Sequence, residues 1–220
     1  MTRADVRARI EEIGIIPAVR VSDADDARFA GEAVYGAGIP IAEITMTVPN
    51  GIDVISHLAT TFPDMVVGAG TILDTETADK CLDAGAKFLT SPGLVMEVLE
   101  FALKKDVVYL PGALTPTEVI AAWKAGADFV KIFPCAPVGG PEYIRSLKVP
   151  LPQVPLIATG GVNQNTTVNF ILAGATAVGV GSELIPPESL PRRHEAQIHE
   201  LGRRFLAMVK YARGQSEQRA

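Results

Sequence analysis

One phrase occurs four times along the chain and constrains its fold more than any other feature. The segments AGIPIAEI, AGAKFLTS, AGADFVKI and AGATAVGV begin at residues 37, 84, 125 and 173. Each is typical of the last turn of a helix, then a glycine able to adopt the left-handed conformation that ends helices, then a short apolar strand. The repeat therefore predicts four helix-to-strand transitions of one kind.

The intervals between these phrases contain further strands. Apolar segments occupy 15–21, 65–71, 107–113 and 155–161, which brings the count to eight short strands separated by segments of helical periodicity. Strands that alternate with helices form parallel sheets, and eight such units predict a (β/α)8 TIM barrel as a single domain over residues 1–220. A doubly wound open sheet is the alternative, but no first turn contains GxGxxG and the units are evenly spaced.

The two ends of the chain have different patterns. VRARIEEI at 6–13 predicts a short helix that closes the bottom of the barrel, and PRRHEAQIHELGRRFLAMVKYA at 191–212 predicts a final amphipathic helix. The polar residues 213–220 are expected to be disordered.

Composition excludes several classes of partner. The net charge of −5 gives no basic field for nucleic acid or an anionic membrane, and no apolar segment is long enough to span a bilayer. The N-terminus lacks the continuous apolar stretch of a signal peptide. The two cysteines, Cys81 and Cys135, have no metal-type spacing, so we expect a cytoplasmic protein without a metal.

A lysine interrupts the sixth predicted strand, in the segment DFVKIFPC. Lysine is rarely buried, because an ammonium group loses much hydration energy in an apolar interior. Side chains alternate along a strand, so an inward Lys131 places Phe129 and Phe133 inside the barrel and Val130 and Ile132 under the helices. The opposite phase would leave the ammonium under the helices without a partner. We therefore predict that Lys131 points into the mouth of the barrel.

Other polar side chains lie at the predicted carboxyl ends of strands, where TIM barrels have their active sites. These residues are Arg20, Glu43, Thr45, Thr71, Ser91 and Thr159. An unprotonated lysine amine attacks a ketone to form a Schiff base, and a carboxylate nearby can transfer protons during formation of the Schiff base and cleavage of a C–C bond. Lys131 and Glu43 together therefore predict class I aldolase chemistry, without an organic cofactor.

Glycine-rich turns follow the seventh and eighth predicted strands, ATGGVN at 158–163 and GVGSEL at 179–184. In barrels these two loops often bind phosphate through backbone N–H groups. Gly160 and Gly161 permit close approach, and Ser182 adds a hydroxyl group. The ligand is thus expected to be a small phosphorylated molecule. Two other functions stay open on these residues: an isomerase or synthase in which Lys131 only contacts an anion, and a carrier of pyridoxal phosphate.

The motifs PAVRV, AEITMTVPNG, VGAGTIL, SPGL, LPGALTPTE, FVKIFP and ATGGV follow one another in this order. This series, over roughly residues 10–190, resembles the 2-keto-3-deoxy-6-phosphogluconate (KDPG) and 4-hydroxy-2-oxoglutarate (KHG) aldolases. The resemblance implies a homotrimeric barrel without a cofactor. It also implies reversible cleavage of KDPG to pyruvate and glyceraldehyde 3-phosphate, action on KHG, and an Entner–Doudoroff role.

The resemblance also implies roles for individual residues. Lys131 would be the Schiff-base lysine and Glu43 the general acid and base, while Thr159 would control stereochemistry at the new carbinol. Thr71 would help to hold the pyruvate carboxylate, and Pro92 and Phe133 would line the pyruvate pocket. The phosphate contacts would be Gly160, Gly161, Gly181 and Ser182.

The second strand departs from the family pattern at one position. Many members have E-[IV]-T-L-R-T, in which the arginine binds the substrate carboxylate, whereas this chain has EITMTV and therefore Thr47. A threonine cannot form the paired hydrogen bonds of a guanidinium group. Arg20, at the end of the neighbouring first strand, is predicted to bind the carboxylate instead.

Overall fold

The glycines of the repeated phrase all adopt the predicted left-handed conformation. The φ angles are 87° at Gly38, 108° at Gly85, 97° at Gly126 and 102° at Gly174. Each of these glycines lies just after a helix and just before a strand. Glycine lacks a Cβ atom, so it takes this conformation at little cost and lets the chain turn sharply from helix to strand.

The computed structural model describes residues 1–217 as alternating helices and strands. The strands are β1 Ile15–Val19, β2 Ile41–Thr45, β3 Val66–Gly70, β4 Phe88–Thr90, β5 Val108–Leu110, β6 Gly112–Ala113, β7 Val130–Ile132, β8 Leu156–Thr159 and β9 Ala175–Val180. The helices are α1 Arg3–Ile13, α2 Ala24–Gly36, α3 Gly51–Thr61, α4 Thr75–Asp83, α5 Met96–Lys104, α6 Pro116–Lys124, α7 Pro141–Lys148, α8 Thr167–Leu172 and α9 Glu195–Glu217.

The strands form a closed parallel barrel. Their order in the sheet is β5-β4-β3-β2-β1-β9-β8-β7-β6, and every pair is parallel. The two ends of this order, β5 and β6, are successive pieces of one stretch of chain divided at Pro111. Proline has no N–H to donate to a strand ladder, which explains the interruption. The predicted eight-stranded barrel is thus confirmed, with its fifth strand in two pieces.

The barrel interior and the helix layer form separate apolar clusters. The interior cluster contains Phe88, Phe129 and Ile157, while Val130 and Ile132 pack in the outer cluster between the strands and the helices. This alternation confirms the predicted phase of β7, with Phe129 and Lys131 on the inner side.

Helix α1 closes the bottom of the barrel, as predicted. Its Val6 and Ile10 join the interior cluster. The Arg3 guanidinium donates to both carboxylate oxygens of Asp128, at 3.1 Å and 2.9 Å. Asp128 is buried, so this charged contact provides the partner that a buried carboxylate requires.

The prediction of a disordered tail from residue 213 was wrong for residues 213–217, because α9 continues to Glu217. The Arg213 guanidinium donates to the carbonyl oxygens of Glu11 and Glu12 at 2.6 Å and 2.5 Å, and to that of Thr176 at 3.2 Å. These contacts fix the last turns of the helix against α1. Residues 218–220 of the predicted tail lie outside the described residues. Within residues 1–217, no helix is long and apolar enough to cross a membrane.

Candidate active site

A cavity of about 320 Å³ opens at the carboxyl ends of the strands. Nine of the residues predicted from the sequence to form the site line it: Arg20, Glu43, Lys131, Phe133, Thr159, Gly160, Gly161, Gly181 and Ser182. They come from β1, β2, β7, β8, β9 and the turns that follow, so only closure of the barrel brings them together.

Lys131 extends from β7 into this cavity. Only 8% of the residue is exposed, and Nζ lies 5.7 Å from the centroid of the Phe133 ring. Two polar side chains from the other strands approach the amine. The Glu43 carboxylate oxygen Oε1 lies 3.6 Å from Nζ, and Nζ donates a hydrogen bond to Thr90 Oγ1 at 3.2 Å. The amine is therefore held between a carboxylate and a hydroxyl group.

Glu43 comes from the inner side of β2 and is almost fully buried, with 4% of the residue exposed. The neighbouring strand makes room for it with Gly70, where a Cβ atom would lie 2.1 Å from Glu43 Oε1. Within the described residues, Lys131 is the ion-pair partner of Glu43. A carboxylate so close to a reactive amine can accept and return protons at the same carbon that the amine attacks.

Thr90 is a site residue that the sequence analysis missed. The expectation was that Ser91 would face the mouth of the barrel, and this was wrong. Ser91 is buried in the outer layer, where its hydroxyl lies 2.6 Å from the Tyr109 hydroxyl. Thr90, two residues after the inward Phe88, faces the interior instead. Side chains alternate along a strand, so the inward direction of Phe88 predicts an inward Thr90 two residues later. Both faces of a barrel strand are apolar, however, so the sequence pattern does not show which residues point inward.

Arg20 follows β1 and borders two cavities, the one containing Lys131 and an adjoining one of about 480 Å³. Within residues 1–217 its guanidinium forms no ion pair, which leaves it able to bind an anion from solution. Thr47, the residue in place of the usual arginine, does not line the cavity with Lys131. Its hydroxyl lies 2.8 Å from that of Thr45, which donates to the Val19 carbonyl oxygen at 3.1 Å.

Two further predicted substrate contacts, Thr71 and Pro92, follow β3 and β4 at the same end of the barrel but do not line this cavity. Thr71 has a φ of 62°. This left-handed conformation is unfavourable for a β-branched residue, and strained residues of this kind cluster at functional sites. Pro92 is exposed. The roles of both residues in binding pyruvate stay predictions.

The glycine-rich turns after β8 and β9 lie next to each other at the cavity. Gly160 and Gly161 have φ of 81° and 90°, and Asn163, Ser182 and Glu183 line the same side. Within residues 1–217, the backbone N–H groups of Gly160, Gly161 and Ser182 donate to no protein acceptor. Such N–H groups can bind the oxygens of an anion. Asn163 and Glu183 were not predicted from the sequence.

Thr159 stands on the inner side of β8, next to Gly179 of β9. Its hydroxyl donates to the Ile132 carbonyl oxygen at 3.2 Å, and a Cβ atom at Gly179 would lie 2.4 Å from Thr159 Cγ2. The glycine therefore creates the space that this threonine occupies in the cavity.

The described residues contain no cluster of metal ligands and no activated thiol. Among residues 1–217, no three histidine, cysteine, aspartate or glutamate side chains form a group that could hold a metal ion. Cys81 and Cys135 are both buried free thiols, and burial raises the pKa of each to about 11. Neither thiol is therefore activated as a nucleophile at neutral pH.

The sequence pattern of the family described as KDPG and KHG aldolase matches residues 6–201. The 2-dehydro-3-deoxy-phosphogluconate aldolase of Pseudomonas aeruginosa is 30% identical over 195 residues, which are 89% of each chain. The 2-dehydro-3-deoxy-6-phosphogalactonate aldolase of Escherichia coli is 33% identical over 79% of this chain and 85% of its own.

Solved structures agree with this relationship. A KDPG aldolase from Legionella pneumophila, with pyruvate captured as a covalent carbinolamine intermediate, has a TM-score of 0.83 and 30% identity over 90% of this chain and 96% of its own. A 3-hexulose-6-phosphate synthase at 19% identity and a TM-score of 0.72 shares the fold only. The fold, the match over residues 6–201 and the curated relatives together confirm the predicted family: this chain belongs to the KDPG and KHG aldolases.

Proposed function

We propose that this chain is a class I aldolase that reversibly cleaves KDPG to pyruvate and glyceraldehyde 3-phosphate through a Schiff base on Lys131. The observation that carries the proposal is the pair at the mouth of the barrel, in which Lys131 Nζ lies 3.6 Å from Glu43 Oε1. The family match and the covalent pyruvate intermediate of the related Legionella enzyme support it.

The reaction begins when Glu43 accepts a proton from the Lys131 ammonium and the resulting amine attacks the C2 ketone. Glu43 returns this proton to the ketone oxygen and then moves one proton from the nitrogen to the same oxygen, which leaves as water. A protonated iminium and an ionised Glu43 remain. Glu43 then removes the proton of the C4 hydroxyl. The C3–C4 bond breaks, its electrons pass into the iminium to give an enamine, and C4 leaves as the aldehyde. Protonation of the enamine carbon and hydrolysis release pyruvate and the free amine.

The proposed grip on the pyruvate carboxylate combines Arg20 with Thr71, while Phe133 and Pro92 form the walls of the pyruvate pocket. Two observations support this role of Arg20. It borders the cavity, and it has no carboxylate partner among the described residues. A guanidinium can bind both oxygens of a carboxylate at once. Thr47 would act only at a distance, through its contact with Thr45.

The proposed phosphate contacts lie in the turns that follow β8 and β9. The unengaged N–H groups of Gly160, Gly161 and Ser182, together with the Ser182 hydroxyl, would bind phosphate oxygens, with Gly181 allowing close approach. Thr159, which lines the same cavity, would contact the substrate hydroxyl at C4 and so select its configuration.

The test is a comparison of kcat/KM for KDPG, its galactose-derived epimer, its unphosphorylated analogue and KHG, with release of pyruvate as the readout. KDPG is expected to be cleaved most efficiently, and KHG more slowly because it has no phosphate. Ser182→Ala should raise KM for KDPG several-fold and leave KM for the unphosphorylated analogue unchanged. Equal effects on both, or no pyruvate from any substrate, would contradict the proposal.

We further propose a homotrimer, acting in the cytoplasm in an Entner–Doudoroff type of pathway. The oligomer is supported by a related chain, 29% identical with a TM-score of 0.85, that belongs to a cage designed by fusing symmetric oligomeric domains. Exposed apolar side chains such as Leu73 and Met96, beyond β3 and β4, would lie in a contact with a second copy. Light scattering during gel filtration should give three times the mass of 23.3 kDa.

A further inference from the structure

We propose that Thr90 is a positioning residue for the Lys131 amine, and that it sets the direction from which nitrogen attacks the ketone. This inference rests on the proposed Schiff-base function. Thr90 lies at the carboxyl end of β4, and its side chain meets Lys131, which comes from β7, inside the barrel. Its hydroxyl lies within hydrogen-bond distance of Nζ, but the reaction steps described above do not use it.

The contact is a hydrogen bond between two buried side chains. Nζ donates to Thr90 Oγ1 at 3.2 Å, and Thr90 is fully buried at 0% exposure. Glu43 Oε1 is farther from Nζ, at 3.6 Å, which is longer than a good hydrogen bond. Within residues 1–217, Thr90 Oγ1 is thus the only side-chain atom in hydrogen-bond contact with the amine.

The hydrogen bond to Thr90 fixes the orientation of the neutral amine. The nitrogen is tetrahedral, with bonds to Cε and two hydrogens and with one lone pair. If Thr90 accepts a hydrogen bond from one N–H and Glu43 attracts the other N–H, the lone pair can point in only one direction. The remaining direction is the cavity, because Thr90 and Glu43 approach Nζ from the inner walls of β4 and β2. Reaction rates depend steeply on such alignment.

Thr90 also differs from Glu43 in a way that matters later in the reaction. Glu43 changes its protonation state as it moves protons, so its attraction for the nitrogen changes at each step. The threonine hydroxyl stays neutral throughout and can accept the single N–H of the iminium. That bond would hold the C=N plane fixed while the C3–C4 bond breaks, which requires the breaking bond to lie perpendicular to this plane.

A purely structural role fits Thr90 less well. Valine has nearly the same shape and the same preference for strands, and it would fill this buried position without an added polar group. Burying a hydroxyl is unfavourable unless it finds a hydrogen-bond partner, and the partner here is the reactive amine itself. The hydroxyl at position 90 is therefore explained by its contact with Lys131.

The experiment compares Thr90→Val, Thr90→Ser and, as a matched control one residue further on, Ser91→Ala. Ser91 hydrogen-bonds with Tyr109 in the outer layer and donates to the Gly93 carbonyl oxygen, so its hydroxyl serves the local structure and does not contact the amine. For each variant, kcat and KM for KDPG, the rate of pyruvate adduct formation under borohydride, and urea unfolding are measured. Thr90→Ala gives the same comparison if Thr90→Val fails to fold.

Thr90→Val is expected to lower kcat and the rate of adduct formation by about 10- to 100-fold, with KM nearly unchanged and urea stability retained or increased. Thr90→Ser should stay within a few-fold of the wild type, whereas Ser91→Ala should lose stability and keep kcat. Wild-type rates in Thr90→Val, or a Thr90→Ser variant as slow as Thr90→Val, would overturn the inference. A wild type that forms no pyruvate adduct would overturn the proposed function as well, which separates the two failures.

Discussion

Glu43 Oε1 and Lys131 Nζ lie 3.6 Å apart, although their strands, β2 and β7, are not neighbours in the sheet. The two residues are 4% and 8% exposed, so each is the charged partner that the other requires in an apolar interior. Their meeting depends on closure of the barrel and on the space that Gly70 leaves beside the carboxylate. The contact between Glu43 and Lys131 therefore depends on the whole fold.

Gly70→Ala should inactivate the enzyme by displacing Glu43. The added Cβ atom would lie 2.1 Å from Glu43 Oε1, so the carboxylate has to move. We expect kcat for KDPG cleavage to fall by about 100-fold, the effect of misplacing a catalytic group by roughly an ångström. Gly214→Ala is the control and should keep wild-type kcat, because an added Cβ atom there meets no described residue within 4 Å. Equal kcat in both variants would contradict the role of Glu43.

Arg20→Ala should raise KM for pyruvate, measured in the direction of aldol synthesis. Loss of a charged hydrogen-bonding partner costs about 1.5–3 kcal/mol, which corresponds to roughly a 10- to 100-fold increase in KM. Arg145→Ala is the matched control, because Arg145 is exposed on α7 and its only ion pair within residues 1–217 is with Glu142, 3.6 Å away. Equal increases in the two variants would show that Arg20 does not bind the carboxylate.

Thr71 should be replaced by glycine with less loss of stability than by alanine. Its φ of 62° is unfavourable for any residue with a Cβ atom. We expect Thr71→Gly to be more stable than Thr71→Ala by about 0.5–1 kcal/mol in urea unfolding, the reverse of the usual order. Both variants lose the hydroxyl and should raise KM for pyruvate. A glycine variant less stable than the alanine variant would show that this backbone carries no strain.

Both cysteines should resist alkylation in the native state. Burial raises the pKa of Cys81 and of Cys135 to about 11, so at pH 8 roughly one thiol in a thousand is ionised, and only the thiolate reacts. The native protein should stay unmodified by iodoacetamide at pH 8 while the urea-denatured protein takes up two labels. Because the shift is upward, labelling of the native protein should increase as pH rises toward 11. Rapid native labelling of Cys135 at pH 8 would contradict this placement.

Much of the fold follows from local sequence. The repeated glycines predict the ends of helices because only glycine adopts the left-handed conformation at little cost, and all four do so. The inward direction of Lys131 follows from the lack of any partner for an ammonium under the helices. Nine of the residues expected at the site line one cavity, since strand ends in a barrel converge at one rim.

Other features depend on contacts that the local sequence does not contain. Phe88 and Leu89 are both buried, on opposite faces of β4, so the sequence does not show which residues of this strand point inward. For this reason Ser91 was predicted at the rim of the barrel, whereas Thr90 is the residue that points inward. The helical conformation of residues 213–217 depends on the contacts of Arg213 with carbonyl oxygens of α1, two hundred residues earlier. Neither the inward direction of Thr90 nor the contacts of Arg213 can be recognised from the neighbouring residues in the sequence.

The most direct test of the Schiff-base mechanism is mass spectrometry after incubation of the protein with pyruvate and borohydride, followed by peptide mapping. We expect one reduced pyruvyl group per chain, located on Lys131, and none in Lys131→Met. Lys148→Met is the matched control, because burial lowers the pKa of Lys148 while its amine donates to the carbonyl oxygens of Pro152 and Val154, outside the cavity. This variant should form the adduct as the wild type does. No adduct, or one spread over surface lysines, would contradict the Schiff-base mechanism and leave only the barrel and its cavity.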